Sequence, residues 1–171
     1  MSAFTFHALP PALADDARRT AVEHGRAVTV AGDGDGPYPV RCCLRDVEAE
    51  EGVLLLSAQP VTASSPYAAP GPIYLHEHAC DGYQPQGDVP EILQRRLLSV
   101  RAFDSAHMMT GTEVVQGADL EPAAERLLAI SGTAYLHVHF AGAGCFACRI
   151  EPIAAEAQTS PTAAQFVESI I

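Results

Sequence analysis

The stretch from Tyr135 to Arg149 constrains the fold more than any other part of the chain. It reads Tyr-Leu-His-Val-His-Phe, then Ala-Gly-Ala-Gly, then Cys-Phe-Ala-Cys-Arg, which is the pattern of two strands joined by a glycine-rich turn. Side chains alternate between the two faces of a strand, so His137 and His139 share one face with Tyr135 and the apolar residues between them share the other. The stretch therefore predicts a β-hairpin with one apolar face and one chemically capable face.

The length of the hairpin loop decides which residues of the second arm join the histidines. A two-residue loop mixes polar and apolar side chains on both faces. A three-residue loop at 142–144 gives one purely apolar face and places Cys145 and Arg149 beside the histidines. Phe146 and Cys148 then face the core. We therefore predict the three-residue loop.

Neighbouring segments extend this polar face by the same alternation. If the segments around 40–44, 73–78 and 97–103 are strands of the same sheet, the polar positions of all of them gather on one side. The predicted face then contains Arg41, Cys43, Tyr74, His76, His78, Ser99, Arg101, Tyr135, His137, His139, Cys145 and Arg149. Antiparallel sheets often expose one polar face to water for no functional reason. A concentration of histidine and arginine in an acidic chain nevertheless favours a functional site.

Charge and residue usage exclude several functions. The chain has 171 residues with 21 acidic and 10 basic side chains, a net charge of −11, which is unfavourable for binding nucleic acid or an anionic membrane. Every basic residue is arginine, so a lysine Schiff base and a Walker-type phosphate loop are excluded. There is no apolar run of membrane-spanning length and no signal-peptide pattern at the N-terminus, which predicts a cytoplasmic protein.

The order of predicted elements indicates an α+β fold with a mostly antiparallel sheet and two or three flanking helices. Helices are predicted at Pro10–Glu23, Val89–Arg95 and Leu120–Ile130. Strands are predicted at 4–9, 28–31, 40–44, 53–57, 73–78, 97–104 and 112–116, and in the hairpin. Residues 1–152 form a single predicted domain, and 153–171 form an extension with a short helix that docks on its own domain or on a second copy. The long loop at 59–72, which carries Tyr67, has the length of a lid or binding loop.

Several stretches resemble one family of short bacterial proteins. The most specific is Tyr135–His139 with Gly144–Ile150, and others are Tyr38–Asp46, Ser65–Tyr67 and Leu97–Asp104. Across roughly residues 4–152 the chain is similar to the domain of unknown function 1203 family. That resemblance implies no established activity. The chain departs from the family pattern at His78, where the family tends to have glycine, and at Phe140, where it tends to have asparagine.

The residues leave three functions open. The first is a cofactor-free enzyme that acts on an anionic small molecule by isomerisation, elimination, cyclisation or hydrolysis. His137 and His139 would serve as acid and base, and Cys145 as a nucleophile. The substrate-binding candidates are Arg101, Arg149, Tyr135, Ser99, Arg41 and Tyr67. The second function is binding of a divalent transition metal by His76, His78, His137 and His139. The third is a non-catalytic small-molecule binder whose C-terminal helix mediates dimerisation.

Overall fold

The computed structural model describes residues 3–25, 28–30, 38–47, 51–61, 64–85 and 87–153. Within these ranges the strands are β1 (Phe4–His7), β2 (Val28–Val30), β3 (Val53–Ala58), β4 (Gly71–His76), β5 (Leu97–Phe103), β6 (Met109–Gln116), β7 (Tyr135–Phe140) and β8 (Phe146–Pro152). The helices are α1 (Pro11–Glu23), α2 (Glu91–Gln94) and α3 (Leu120–Leu128), with a 3-10 turn at Gly117–Asp119. The predicted C-terminal helix lies outside the described residues.

The strands form two antiparallel sheets, so the predicted α+β class is confirmed. The large sheet has the order β1-β8-β7-β5-β6, and the small sheet has the order β2-β3-β4. The prediction that the strand at 73–78 belongs with the hairpin is wrong, since this segment forms β4 of the small sheet. Side-chain alternation identifies the faces of a strand but carries no information about which strands become neighbours.

The large sheet buries its apolar face against α2 and α3. Leu98, Val100, Leu136 and Val138 are fully buried there, and α3 presents Leu120, Ala124 and Leu127 to them at helical spacing. Truncating one of these leucines to alanine should cost about 2–5 kcal/mol, because the close-packed surroundings relax only in part. This packing fixes the position of β5 and β7, whose opposite face carries the histidines.

The small sheet packs against α1. Helix α1 starts with Pro11 at its first position, where the missing N–H has no intrahelical partner to lose. Its buried face consists of Ala14, Ala17 and Ala21, small side chains that let the helix approach β3 and β4 closely. After the helix ends, Gly25 adopts φ +62° and donates its N–H to the Val22 carbonyl.

The segment 38–47 is a turn and not the strand predicted at 40–44. Val40 donates to the Arg45 carbonyl over 3.0 Å, and Pro39 forms a bridge with Asp46, so the chain reverses direction at 41–44. Leu44 completes the turn with φ +53°. An alternation of only five residues is too short to separate a strand from a turn of this kind.

The β7–β8 hairpin combines both of the loop registers considered above. Away from the turn, His137 lies opposite Arg149, as the three-residue loop predicts. A bulge at Ala147 then shifts the register, so His139 lies opposite Phe146 and Phe140 donates to the Cys145 carbonyl. The bulge reverses two predicted orientations, because Phe146 joins the histidines and Cys145 joins the apolar cluster.

In the part of the chain that the structure describes, helices are too short and too polar to cross a bilayer.

Candidate functional site

Strands β5 and β7 build a continuous polar and aromatic surface on the large sheet. Their register sets Ser99 opposite His139, Arg101 opposite His137 and Phe103 opposite Tyr135. We call this surface the histidine face; it consists of Ser99, Arg101, Phe103, Tyr135, His137, His139, Phe146 and Arg149. Six of these residues are predicted site residues that the structure places together: Ser99, Arg101, Tyr135, His137, His139 and Arg149.

His137 lies at the centre of the histidine face and is closed off from water. Its ring centroid is 4.9–5.3 Å from the rings of Phe146, Tyr135 and Phe103, and its exposed fraction is 1%. Among the described residues, none accepts from or donates to its Nδ1. Burial, reinforced by the charge of Arg149, lowers the pKa of His137 well below its ordinary value, so the ring is neutral.

His139 is held in one tautomer by the turn of the hairpin. Its Nδ1 lies 3.0 Å from the Gly144 carbonyl oxygen, which can only accept, so the proton resides on Nδ1 and the lone pair on Nε2. Burial lowers the pKa of His139 to about 4, and the charge of Arg101 contributes in the same direction. At neutral pH both histidines are therefore uncharged and weakly basic, whereas a general base works best with a pKa near the working pH.

Arg149 has protein partners on every side. It donates from Nε to the Glu151 carboxylate over 2.6 Å, and its guanidinium lies 3.5 Å from the centre of the Tyr135 ring. The Tyr135 hydroxyl lies 2.8 Å from His107 Nδ1. The sequence analysis assigned no role to His107; it reaches this face because its own loop is fastened by a hydrogen bond from Ser65 Oγ to the His107 carbonyl.

Arg41 is buried and serves as an anchor, which corrects its predicted role in substrate binding. Its guanidinium donates to the Phe146 carbonyl over 2.6 Å, to the Pro39 carbonyl, and to Cys145 Sγ over 3.0 Å. It also lies 5.0 Å from the centre of the Phe140 ring. Burial lowers the pKa of Arg41 to about 10, which leaves it charged at neutral pH. Cys145 is thus tied to this anchor on the apolar side of the hairpin.

Four metal-ligating side chains meet beside the small sheet. They are Cys42, Cys43, His76 and Cys80, and one donor atom from each lies within 4.8 Å of all the others. We call this group the Cys/His cluster. The Cys42 and Cys80 sulfurs are 2.8 Å apart, and Cys43 Sγ is 3.3 Å from His76 Nε2.

Backbone hydrogen bonds hold the segments of the Cys/His cluster in place. The turn that carries both adjacent cysteines is fixed where Arg41 donates to the Tyr74 carbonyl over 3.1 Å and Leu9 donates to the Arg41 carbonyl over 2.8 Å. His76 ends β4, and its carbonyl accepts from Arg18 Nε of α1 over 2.8 Å. The donor atoms are therefore positioned by secondary structure on two sides, as a preorganised site requires.

Hydrogen bonding divides the protons unequally between the adjacent cysteines. The pKa of Cys43 falls to about 4, chiefly because its thiolate accepts from the Cys42 thiol, with a further contribution from His76. The same hydrogen bond, together with burial, raises the pKa of Cys42. The cluster therefore already holds one thiolate, which is the form that binds metals.

The prediction of a protein without a cofactor is contradicted by the Cys/His cluster. Three thiols and an imidazole within ligand-pair distance form a site able to take a transition-metal ion. The alternative set of four histidines is divided by the fold. His76 lies in the cluster and the neighbouring His78 is exposed, while His137 and His139 belong to the other sheet.

From the sequence we did not expect three of the four cluster residues, Cys42, Cys43 and Cys80, to be metal ligands. Strand alternation placed Cys42 and Cys43 on opposite faces, but in a turn both side chains reach the same side. Two signals in the sequence point to the cluster. These are the adjacent cysteine pair and the His76-x-x-x-Cys80 spacing, which resembles the short spacings of paired metal ligands.

Fold and site together define an α+β protein of two antiparallel sheets with a sulfur-rich cluster of metal-ligating side chains on the smaller one. Residues 37–152 match the model of a family described as Protein of unknown function (DUF1203), and the chain belongs to that family. The matched range includes the Cys/His cluster and the whole histidine face. No curated protein and no solved structure matches the chain.

Proposed function

We propose that this protein binds one transition-metal ion through Cys42, Cys43, His76 and Cys80, and that Zn²⁺ is the ion the site suits best. The observation that carries the proposal is the approach of all four donor atoms to within 4.8 Å of one another. Around tetrahedral zinc, with bonds of about 2.0–2.3 Å, ligand atoms lie about 3.5 Å apart. The 3.3 Å between Cys43 Sγ and His76 Nε2 fits that distance, and the Cys42 and Cys80 sulfurs, 2.8 Å apart, need to separate by about 1 Å on binding.

The donor chemistry selects among metals. Thiolates are soft ligands that favour zinc, copper(I) and iron–sulfur clusters over magnesium or calcium. A set of three cysteines and one histidine is a common ligand set of closed, four-coordinate zinc sites. Cysteine thiolate is the ligating form. Because the pKa of Cys43 is lowered, a metal ion need not displace a proton from this thiol near neutral pH.

The surroundings of the cluster provide an entry path. A cleft of about 650 Å³ is lined by Cys43, Cys80 and residues of the segment 79–94. A second cleft, of about 380 Å³, adjoins the first at Arg45, Ala79 and Cys80 and reaches His76. Cys43 and Cys80 are only half-buried, so an ion and its carrier can approach the sulfurs.

The acid/base enzyme stays a prediction. The low pKa values of His137 and His139 favour neutral hydrogen-bonding rings over a proton-transferring pair. We also propose a cytoplasmic location. All five cysteines are free, and the sulfur ligands need a reducing compartment to stay available.

The proposal is tested by competing the protein against a chromophoric chelator for Zn²⁺, with reductant present throughout. We expect one equivalent to bind. His76→Ala should weaken binding by more than about a hundredfold, since even residues that only support a ligand contribute 10- to 100-fold. The matched control is His78→Ala, which removes an exposed imidazole two positions away and should leave the affinity unchanged.

A second matched pair tests the sulfur ligands. Cys43→Ala should lose zinc, and Cys145→Ala should retain it because Cys145 lies in the hairpin and is not part of the Cys/His cluster. Cobalt(II) substitution adds a readout of ligand type, since thiolate ligation gives a charge-transfer absorption that Cys43→Ala should reduce. The proposal is wrong if the wild type binds no zinc, or if the two members of either pair bind it equally.

A further inference from the structure

A small cavity opens beside the histidine face, between the large sheet and the segment that follows β3. Its volume is about 130 Å³, and its walls include Arg101, His139, Phe103, Met109, Phe146 and Tyr67. Tyr67 and Gly144 at its border are exposed, so the cavity communicates with solvent. None of the residues that line it belongs to the Cys/His cluster, so the two sites are independent.

Among the residues that the structure describes, Arg101 has no carboxylate as a counter-charge. Of the nine arginines in the described ranges, seven have a carboxylate within 4.0 Å, and Arg101 does not. Its Nε donates one long hydrogen bond of 3.4 Å to Ser99 Oγ. Arg41 also lacks a carboxylate, but it is satisfied by two carbonyl oxygens and a sulfur. In a chain with 21 acidic residues, an unpaired arginine at a cavity indicates an anionic ligand.

His139 adds a hydrogen-bond acceptor to the same cavity. Because its Nδ1 proton is donated to the Gly144 carbonyl, the neutral ring carries a lone pair on Nε2. Among the described residues, Nε2 has no hydrogen-bond partner. An acceptor of this kind at the cavity is complementary to a hydroxyl group on the ligand.

The remaining walls are apolar, which selects the kind of anion. A single guanidinium fork matches one carboxylate in two parallel hydrogen bonds, whereas a phosphate group calls for more donors. Phe103, Met109 and Phe146 suit a short aliphatic chain. Drug-sized ligands occupy roughly 300 Å³ or more, and this cavity is much smaller.

We propose that the cavity binds a short aliphatic carboxylate that carries a hydroxyl group, with the carboxylate on Arg101 and the hydroxyl donating to His139. The volume admits a ligand of about four to six non-hydrogen atoms, given that each water takes about 30 Å³ in the liquid. The charge of Arg101 and the apolar walls provide affinity, and His139 provides selectivity for the hydroxyl group.

Calorimetric titration of the protein as purified, with 2-hydroxypropionate and with propionate, tests this inference. We expect 2-hydroxypropionate to saturate one site with a dissociation constant of about 1 mM or below, which is reasonable for a ligand of this size. Propionate should bind about fivefold more weakly, because it lacks the hydroxyl group that His139 accepts.

Arg101→Gln should weaken 2-hydroxypropionate binding by at least about tenfold, since a hydrogen bond to a charged group is lost. Arg95→Gln is the matched control, because it removes an equal charge from an exposed pair with Glu91. If Arg101→Gln does not fold, Met109→Trp replaces it, and filling the cavity should abolish binding. The inference is overturned if neither probe saturates, if both arginine variants weaken binding equally, or if Met109→Trp binds as the wild type does.

Discussion

The Cys/His cluster and the histidine face both contain groups that ligate metals. Their surroundings differ, because those of the histidine face favour neutral imidazoles and those of the cluster favour a charged thiolate. On the histidine face, burial and the charges of Arg101 and Arg149 depress the pKa values of both imidazoles. In the Cys/His cluster, hydrogen bonds from Cys42 and His76 stabilise a thiolate on Cys43. The neighbouring charge, more than the number of donor atoms, decides which group receives a cation. On these grounds we propose a metal ion as the ligand of the Cys/His cluster and an anion as the ligand of the histidine face.

A single turn separates the two environments. From this turn Arg41 extends to the hairpin, where it donates to Cys145 and to the Phe146 carbonyl. The next two residues, Cys42 and Cys43, extend to the Cys/His cluster. Arg41 therefore lies with the hairpin, while Arg45 of the same segment lines the cleft beside Cys43 and Cys80 and is paired with Glu51.

The largest expected effect comes from removing the metal. Zinc at about a thousandfold excess over its dissociation constant should add about 4 kcal/mol to the free energy of unfolding. For a chain of 171 residues that corresponds to a Tm rise of about 8–16 °C. Thermal unfolding with and without a chelator measures it, and Cys43→Ala should be insensitive to the chelator. Equal Tm values for the wild type in both conditions would show that no bound metal stabilises the fold.

Acid should destabilise the protein through the histidine face. The pKa of His139 is about 4 in the folded chain against 6.5 ordinarily, so between these values the unfolded chain binds a proton that the folded chain does not. Stability therefore falls as the pH falls through this window, by about 2 kcal/mol between pH 7 and pH 5 from this residue alone.

Denaturant unfolding of metal-free protein at the two pH values isolates that contribution. His139→Gln should lose about 2 kcal/mol less on acidification than the wild type does. The control is His24→Gln, which changes an exposed histidine at the end of α1. Its free energy of unfolding should fall between pH 7 and pH 5 as much as that of the wild type. A His139→Gln protein with the wild-type difference between pH 7 and pH 5 argues against a buried neutral ring.

A smaller effect is expected from His137→Phe. The ring of His137 is surrounded by aromatic rings, and its Nδ1 has no partner among the described residues. Replacing an unsatisfied buried nitrogen by carbon should stabilise the fold by about 1 kcal/mol at pH 7. Chemical denaturation measures the change. A loss of stability instead would mean that the nitrogen is satisfied and that the histidine face is built for the imidazole.

The smallest effect is expected from Arg101, the arginine whose charge lowers the pKa of His139. Arg101→Gln should raise the pKa of His139 by about half a unit, because burial is the larger cause and remains in place. NMR titration of the imidazole signals gives the pKa directly, with Arg95→Gln as the control for a general change in charge. An unchanged pKa of His139 would mean that the charge of Arg101 does not contribute to the low pKa of this imidazole.

The hairpin could be predicted from the sequence because its pattern is long and regular. Six alternating residues from Tyr135 to Phe140 distinguish the apolar face from the histidine face, and β5 extends the histidine face with Ser99 and Arg101 in the expected orientation. The structure buries both faces of β7. The bulge at Ala147 escaped prediction, since an inserted residue leaves the composition unchanged and only shifts the pairing. That single shift turned Cys145 toward Arg41 and the apolar cluster, although Cys145 still lines the small cavity beside His139.

The Cys/His cluster could not be predicted, because it depends on tertiary contacts between short irregular segments. Cys42 and Cys43 converge only if 41–44 is a turn, and Cys80 reaches them from a segment outside the strands and helices. Assigning His76 to the same sheet as His137 directed the search to the wrong partners. Which sheet a strand joins is decided by packing against α1 and not by its own alternation.

We propose above all that the sulfur atoms of the Cys/His cluster, and not the imidazoles of the histidine face, determine metal binding. Elemental analysis of untagged protein purified without chelator tests it most directly, with the double variants Cys43→Ala/Cys80→Ala and His137→Ala/His139→Ala prepared in parallel. We predict about one equivalent of zinc in the wild type, the same in the histidine variant, and none in the cysteine variant. Zinc that persists in the cysteine variant, or disappears in the folded histidine variant, would contradict the account.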